Sequence, residues 1–490
     1  MPTDRNTRSR RRQPKKPVGP PRDEDEVADN VGDEPMAQDV EEPEEVEDRV
    51  IQHEHRVWKR HMPLLYDLFV PHCLDWPSLT VQWLPKVEEY DGRDYVTQDV
   101  LLGTNTSNLE PDYICIATVQ LPRGDMDDNG RKFDDERGEI AGYGAVEGKV
   151  SVKQRIPHRG EINRARYMPQ RSMMIATKTV SGDVHLYDRS KFPSQPNPNR
   201  LDYTPTLRLS GHSEEGYGLS WSTVTEGHLL SSSQDATICH WDINAPPTEP
   251  SAKRSRKSAA SSTQATSSVH PLRVYRGHSS VVGDVSWCDH EADTFASVGD
   301  DRQLLVWDAR RPEAPGQAKP RAHTHAINAV AFHAHVPHLL ATGGSDHTVC
   351  VWDRRQMAQP THTFSGAHVA DVTQVSWSPH HADVLMSAGA DRRVMVWDLN
   401  AGASGASDVS SAATANGRKK EEQECDAIPE LMFIHGGHSD RVSDAAWNPV
   451  MPWVVVSASE DNVLQVWQMA GLLRSGVADA AAGAASGSTE

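Results

Sequence analysis

No apolar run in this 490-residue chain approaches the roughly 20 residues that cross a bilayer, and its first residues are too charged for a secretory signal. These absences point to a soluble, intracellular protein without a membrane partner. Cysteine is scarce too. Cys73, Cys115, Cys239, Cys288, Cys350 and Cys425 are scattered without a C-x-x-C pair, which suits a reducing compartment and offers no zinc site. Positive charge is in deficit: 50 Lys and Arg against 69 Asp and Glu leave a net charge of −19. That balance argues against direct nucleic-acid binding and favours a basic protein partner. Between Asp23 and Asp48 neither Lys nor Arg occurs, although a basic block, Arg8 to Lys16, stands shortly before. Neither block has the apolar surface to fold, so residues 1–43 are expected to be a disordered tail, basic then acidic. The basic block and a second cluster, Lys253-Arg254-Ser255-Arg256-Lys257, resemble nuclear localisation signals, so a nuclear protein is expected.

What the chain has instead is a period. A His and an Asp stand 23 residues apart five times: His212 and Asp235, His278 and Asp301, His323 and Asp346, His368 and Asp391, His438 and Asp461. A Ser or Thr lies four residues before each Asp (Ser231, Ser297, Thr342, Ser387, Ser457), and a Trp six after it (Trp241, Trp307, Trp352, Trp397, Trp467). Gly-His or Ala-His opens each unit, alternating strands follow, and most copies close on Trp-Asp. These are the marks of the WD-repeat blade, about 40 to 45 residues of four antiparallel strands. A sixth, degenerate copy places His158 before Ser181, with Thr177 and Tyr187 at the Thr and Trp positions. Strand-like segments at Ser78–Trp83, Val100–Thr104 and Tyr113–Val119 supply a seventh, irregular blade.

His, Ser and Asp recurring together could be misread as a hydrolytic triad. Catalysis needs one nucleophile and one base in a concave site, whereas this set is copied on an architectural period. The copies read as a buried hydrogen-bond network, in which the His links the Asp to the hydroxyl and the hydroxyl to the indole N–H. No catalytic residue, cofactor or metal is expected.

The expected organisation is all-β, a seven-bladed WD40 β-propeller with an N-terminal amphipathic α-helix packed on its side. Residues 44–71 form the helix and docking segment, with Val46, Val50, Val57 and Trp58 at helical spacing from Glu44 to about His61, and Pro63 ending or kinking the helix. The propeller spans 72–470 with insertions at 122–149, 245–271 and 400–429, the first read as a surface loop, and 471–490 is a C-terminal tail.

Several segments are more specific than a WD repeat. LLYDLFVPHCLDWPSLTVQWLP (64–85), EINRARYMPQ (161–170), EGYGLSW (215–221), FIHGGHSDRVSDAAWNP (433–449) and SEDNVLQVWQMA (459–470) closely resemble the retinoblastoma-associated histone-binding WD-repeat proteins. That family includes the small subunit of chromatin assembly factor and the histone-binding subunit of Polycomb, deacetylase and remodelling complexes. The resemblance implies a non-catalytic scaffold that binds histones H4 and H3 within such complexes. It further implies two peptide sites. In the first, the first helix of histone H4 lies in a groove walled by Leu64, Leu65, Phe433, Ile434 and Leu473, with Glu422, Glu424 and Asp426 as an acidic rim. In the second, the histone H3 tail lies on the top face of the propeller. The matching residues there are Asp75, Trp76, Pro77, Glu161, Asn163, Arg164, Glu215, Tyr217, Asp300, Asp371 and Glu460, carboxylates and aromatics suited to a basic peptide.

The sequence departs from the family pattern at Gly283, Thr373 and Asn105 on that face, and Gln423 and Cys425 interrupt the acidic rim. A different functional class stays open beside this one. Trp307-Asp308-Ala309-Arg310 and Trp352-Asp353-Arg354-Arg355 match the W-D-x-R boxes by which some propellers, as substrate receptors, bind the adaptor of a cullin-type ubiquitin ligase, with Arg310 and Arg355 as contacts.

Overall fold

A computed structural model describes residues 43–123, 133–134, 139–140, 149–197, 199, 201–245, 268–401 and 428–474. The N-terminal tail, the end of the C-terminal tail and most of the three insertions lie outside these residues.

The strands form seven sheets around a ring. Blade one holds Val81–Glu89, Tyr95–Gly103, Asp112–Pro122 and Val150–His158, innermost strand first; blade two holds Ile162–Met168, Arg171–Thr179, Val184–Asp188 and Leu207–Leu209. Blade three holds Leu219–Trp221, His228–Ser232, Thr237–Asp242 and Arg273–Arg276; blade four, Val282–Trp287, Thr294–Gly299, Leu304–Asp308 and Gln317–Lys319. Blade five follows with Ile327–Phe332, Leu339–Gly344, Val349–Asp353 and His362–Phe364; blade six with Val372–Trp377, Val384–Gly389, Val394–Asp398 and Leu431–His435. Blade seven takes Val442–Trp447, Val454–Ser459 and Val463–Met469 from the end of the chain and its fourth strand, Tyr66–Cys73, from the beginning.

Each strand alternates between two sheet faces, and each face packs on the next blade. The buried apolar side chains accordingly fall into seven clusters, each shared by two neighbouring blades, as where Val100 and Val119 of blade one meet Val456 and Val466 of blade seven. No blade has a core of its own. Closure therefore matters, and it is made by Phe69 opposite Trp467 and Val70 opposite Val466. Leu68 and Phe69, expected in a docking segment, are strand residues instead, 1% and 3% exposed.

The helix α1 spans Pro43–Leu65 and passes through Pro63. The proline removes one hydrogen bond, to the Lys59 carbonyl, in a last turn already anchored by buried Met62 and Tyr66. Its inward stripe is Ile51, His55, Trp58, Met62 and Leu65, spaced four, three, four and three. Val50 and Val57, expected on the buried face with Trp58, are 50% and 40% exposed and form an outward stripe with Leu64. Two insertions also contribute strands that the sequence does not announce. Phe133–Asp134 and Glu139–Ile140 extend blade seven beyond Phe69, and Ser268–Val269 adds a parallel strand to blade two.

The repeated polar set forms the expected networks. In blade six His368 Nδ1 lies 2.9 Å from Asp391 and its Nε2 2.8 Å from Ser387 Oγ, which accepts the Trp397 indole N–H at 2.8 Å. The same Asp accepts the backbone N–H of the residue after the His and of the residue two beyond itself. The residue directly after each Asp is left-handed: Ala236, Arg302, His347, Arg392 and Asn462, all with φ between 62° and 69°. In degenerate blade two His158 keeps Thr177 at 2.9 Å and turns Nδ1 to the Gly160 carbonyl at 2.8 Å. There the left-handed position falls to Gly182, φ 84°.

Burial opposes charge on the His323 ring in blade five, but its bonds to Asp346 and Cys350 outweigh that and raise its pKa to about 9. A raised histidine stabilises the fold fully below its unfolded value of 6.5 and loses that contribution as pH climbs through 9. Asp346→Ala is therefore expected to cost about 1–3 kcal/mol, and more near pH 6 than near pH 10. Thermal melts of parent and variant at both pH values check this, and identical melting temperatures near pH 6 would count against it.

Candidate functional site

In an antiparallel meander the turn between second and third strands lies at the same end as the link to the next blade, here termed the top. The helix α1 passes these turns where Glu54 meets Arg392 at 3.1 Å, and ends at the bottom, where the Leu65 carbonyl accepts the Ala470 N–H at 2.9 Å. Between, Trp58 Nε1 donates to the Tyr66 hydroxyl at 3.0 Å, and Tyr66 donates to His435 Nδ1 at 2.7 Å. Burial holds His435 neutral, well below its usual pKa, which leaves Nδ1 free to accept. These bonds clamp the helix to the closing blades.

The first expected site gathers at that seam. Strand Leu431–His435 alternates, so Phe433 and His435 point in and Ile434 points out. Ile434 is 40% exposed and lines, with Ile51, Val57, Trp58 and Arg392, a cavity of about 500 Å³ between α1 and blades six and seven. Leu64 is exposed, and Leu65 is half-buried against the closing cluster. Leu473 is 39% exposed on the short helix Gly471–Arg474, which is tied down by Asp67 through the Gly471 N–H and the Arg474 guanidinium. Phe433 corrects the sequence reading. It is 5% exposed, edge-on to Tyr66 at 5.4 Å and beside Trp467, so it supports the groove from behind rather than walling it. The rim residues Glu422, Glu424 and Asp426 lie outside the described residues; their insertion leaves from the bottom of blade six, beside the end of α1.

The top turns bring together the second set. Glu161, Glu214, Glu215, Gln234, Asn108 and Val180 line a cavity of about 490 Å³ over blades one to three. Glu215 is positioned rather than loose: Asn163 Nδ2 and Gln234 Nε2 each donate to it at 3.3 Å. Asn163, 2% exposed, thus acts behind the surface. Below the floor, buried Lys178 donates to the Gly182 carbonyl at 2.8 Å, and burial lowers its pKa to about 8. Tyr217 is 42% exposed. Trp76 donates to Glu110 at 3.0 Å, the Pro77 carbonyl accepts the Asn105 N–H at 3.0 Å, and Asp75 pairs with Arg155 at 2.8 Å. Around the rest of the top stand Asp371, 3.9 Å from His347, Glu460, 3.2 Å from Arg441, and Asp300. Burial raises the Asp300 and Glu460 carboxyls above the usual range, with Asp301 and Asp440 adding to it.

Three residues sit deeper than expected. Arg164 crosses the central channel to Gln374 of blade six at 3.3 Å, so it braces the channel instead of facing a ligand. The Thr373 hydroxyl donates to the Ala388 and Val442 carbonyls at 3.1 and 3.0 Å, joining blades six and seven where the family pattern has an aromatic. A Cβ on Gly283 would come within 2.9 Å of the Ile327 carbonyl, so an acid there would strain the backbone. Glu214, Gln234 and Lys178 escape a reading of the sequence alone, though Glu214 is findable two residues after the repeat His212. At the ligase boxes, Arg310 clasps Asp308 at 2.9 and 2.8 Å and Arg355 clasps Asp353 at 3.0 and 2.6 Å. Each arginine closes its own strand end, which does not favour the adaptor reading.

Residues 53–123, which carry most of α1, the closing strand and most of blade one, match the family model for histone-binding protein RBBP4, equally the model for the corresponding member of the CAF1 complex. Residues 269–308, 317–353, 358–398 and 429–468 match the WD domain, G-beta repeat. The chain belongs to the RBBP4-like histone-binding WD-repeat family. As a member it is a histone-binding scaffold subunit, in a family of non-catalytic scaffolds.

Within this family framework Phe433 and its neighbour separate cleanly. Phe433→Ala is expected to lower stability by about 3–5 kcal/mol, as truncation of a buried aromatic does, whereas Ile434→Ala should leave the melting temperature close to parent. Denaturant unfolding of both variants tests it, and equal effects would place Phe433 outside the core.

Proposed function

We propose that this scaffold holds an amphipathic helix, the first helix of histone H4, along the outward stripe of α1, and a histone H3 tail on the acidic top face. The observation that carries the helix site is the spacing of exposed Val50, Val57 and Leu64, seven residues apart, beside exposed Ile434 and Leu473. A seven-residue repeat is what a second helix lying nearly parallel to α1 would meet. Carboxylates at the bottom insertion, Glu422, Glu424 and Asp426, would then pair with cations at that helix's edge. The top face suits a Lys- or Arg-rich strand, with Glu161, Glu214 and Glu215 for an ammonium or guanidinium and Tyr217 for a cation–π contact. Neither site needs chemistry beyond binding, so we read the protein as a non-enzyme. Its two basic clusters support a nuclear location, within chromatin-assembly, deacetylase, Polycomb or remodelling complexes.

Leu64→Asp with Ile434→Asp is expected to weaken an H4 first-helix peptide by about 2 kcal/mol or more, roughly thirtyfold, while leaving H3-tail affinity unchanged. Titration of both peptides against the folded variant decides it; undiminished H4 affinity would remove the groove.

The top face should also respond to pH. A cationic tail is held by carboxylates in their ionised form, so binding is full above their raised pKa values and weakens as pH falls through them. Tail-peptide affinity should drop between about pH 7 and pH 5, with Asp300→Asn flattening the profile. A pH-independent affinity would show that these carboxylates do not meet the tail.

A further inference from the structure

The acidic top face has a candidate occupant within the chain itself. We propose that the basic block Arg8 to Lys16 lies on this face and competes there with the histone tail, so that the N-terminal segment acts as an internal pseudo-ligand. The inference rests on the reading of the top face as a basic-peptide site and adds its regulation.

Charge is the first argument. The block holds six cations in nine residues, RSRRRQPKK, in a protein of net charge −19. The face opposite offers carboxylates already fixed in place: Glu215 is gripped by Asn163 and Gln234, and Glu161 is 2% exposed in the wall of the cavity. Preorganised carboxylates bind a guanidinium better than side chains that must first be ordered.

Position is the second. The helix α1 meets the top turns at Glu54 and continues eleven residues further towards its start at Pro43, about 16 Å at 1.5 Å per residue. The chain therefore enters the helix from the top side. Residues 17–42 can span at most about 90 Å, and a face of seven four-stranded blades is on the order of 40–50 Å across, from strand spacings of about 4.8 Å. The block can reach any point on it. The other basic cluster, Lys253 to Lys257, lies in an insertion that leaves from the bottom of blade three, so it is the poorer candidate.

The test keeps the full chain. A variant carrying Arg8→Gln, Arg10→Gln, Arg11→Gln, Arg12→Gln, Lys15→Gln and Lys16→Gln is compared with parent for affinity to an unmodified H3 N-terminal peptide. A tethered competitor acts at an effective concentration of order millimolar, so the neutralised chain should bind about tenfold tighter, with the gap closing at about 0.5 M salt. A free peptide of residues 5–18 should bind the neutralised chain and displace the tail, and Glu215→Gln or, separately, Glu460→Gln should weaken it while the melting temperature holds. Equal or weaker tail affinity in the neutralised chain overturns the proposal. So does peptide binding that ignores both face substitutions, which would put the block on the acidic segment Asp23 to Asp48 instead. If the tail binds neither protein but the 5–18 peptide binds and needs Glu215, the histone H3 reading falls and the internal contact stands; if neither peptide binds, both fall.

Discussion

The fold depends on one small constraint: a left-handed residue after each repeat Asp, held by that Asp. An L-residue there costs roughly 1–2 kcal/mol, and Ala, Arg, His and Asn occupy it where glycine would be the easy choice. The Asp side chain offsets the strain by accepting the N–H two residues on, the N–H after the repeat His, and the His ring itself. The His then fixes the hydroxyl, and the hydroxyl fixes the Trp that fills the wedge to the next blade. Turn, loop and core are thereby one unit. Blade two confirms the logic by exception, since losing the Asp coincides with glycine at the left-handed position and with His158 turning to a backbone carbonyl.

Because apolar clusters sit between blades and not within them, each unit is stable only with neighbours on both sides, and the ring must close. Closure is made at blade seven, where the network is slackest: His438 stands 3.6 Å from Asp461, and Trp467 reaches Ser457 at 3.2 Å. The chain compensates with its other end. Tyr66–Cys73 completes the sheet, Tyr66 joins Trp58 to His435, and His435 stacks on Trp467 at 4.5 Å. The helix α1 is thus part of the closure, and the groove beside it is built from the seam that holds the ring shut.

Much of this is legible in the residues. The His–Asp period announces blades three to seven, and the degenerate His158 copy announces blade two, because a buried polar network demands specific atoms at fixed spacing. What stays hidden is whatever depends on partners remote in sequence. Val50, Val57 and Trp58 read as one apolar face because helical spacing alone does not say which of two adjacent stripes meets the propeller. Phe433 and Ile434 are equally apolar, and only pairing with Val396 and Met395 tells which points inward. Arg164 and Thr373 look like surface residues because the channel that absorbs them is lined by residues about 70 to 210 positions away.

The same constraint explains why binding groups gather at one end. Every network places its Asp, its left-handed residue and the loop after its His at the top, so substitutions in those loops present side chains on a scaffold already rigid. Arg392 shows it in miniature: the left-handed turn that Asp391 stabilises aims its side chain at Glu54 of α1. Glu161, Glu214 and Glu215 occupy the corresponding loops of blades two and three, where half-burial concentrates negative charge that a solvated acidic tail would disperse. The bottom end bears strand-to-strand turns and the insertions. A propeller of this kind therefore separates its two recognition modes by geometry: an extended basic peptide suits the ring of top loops, and a helix suits the seam where the ring is closed.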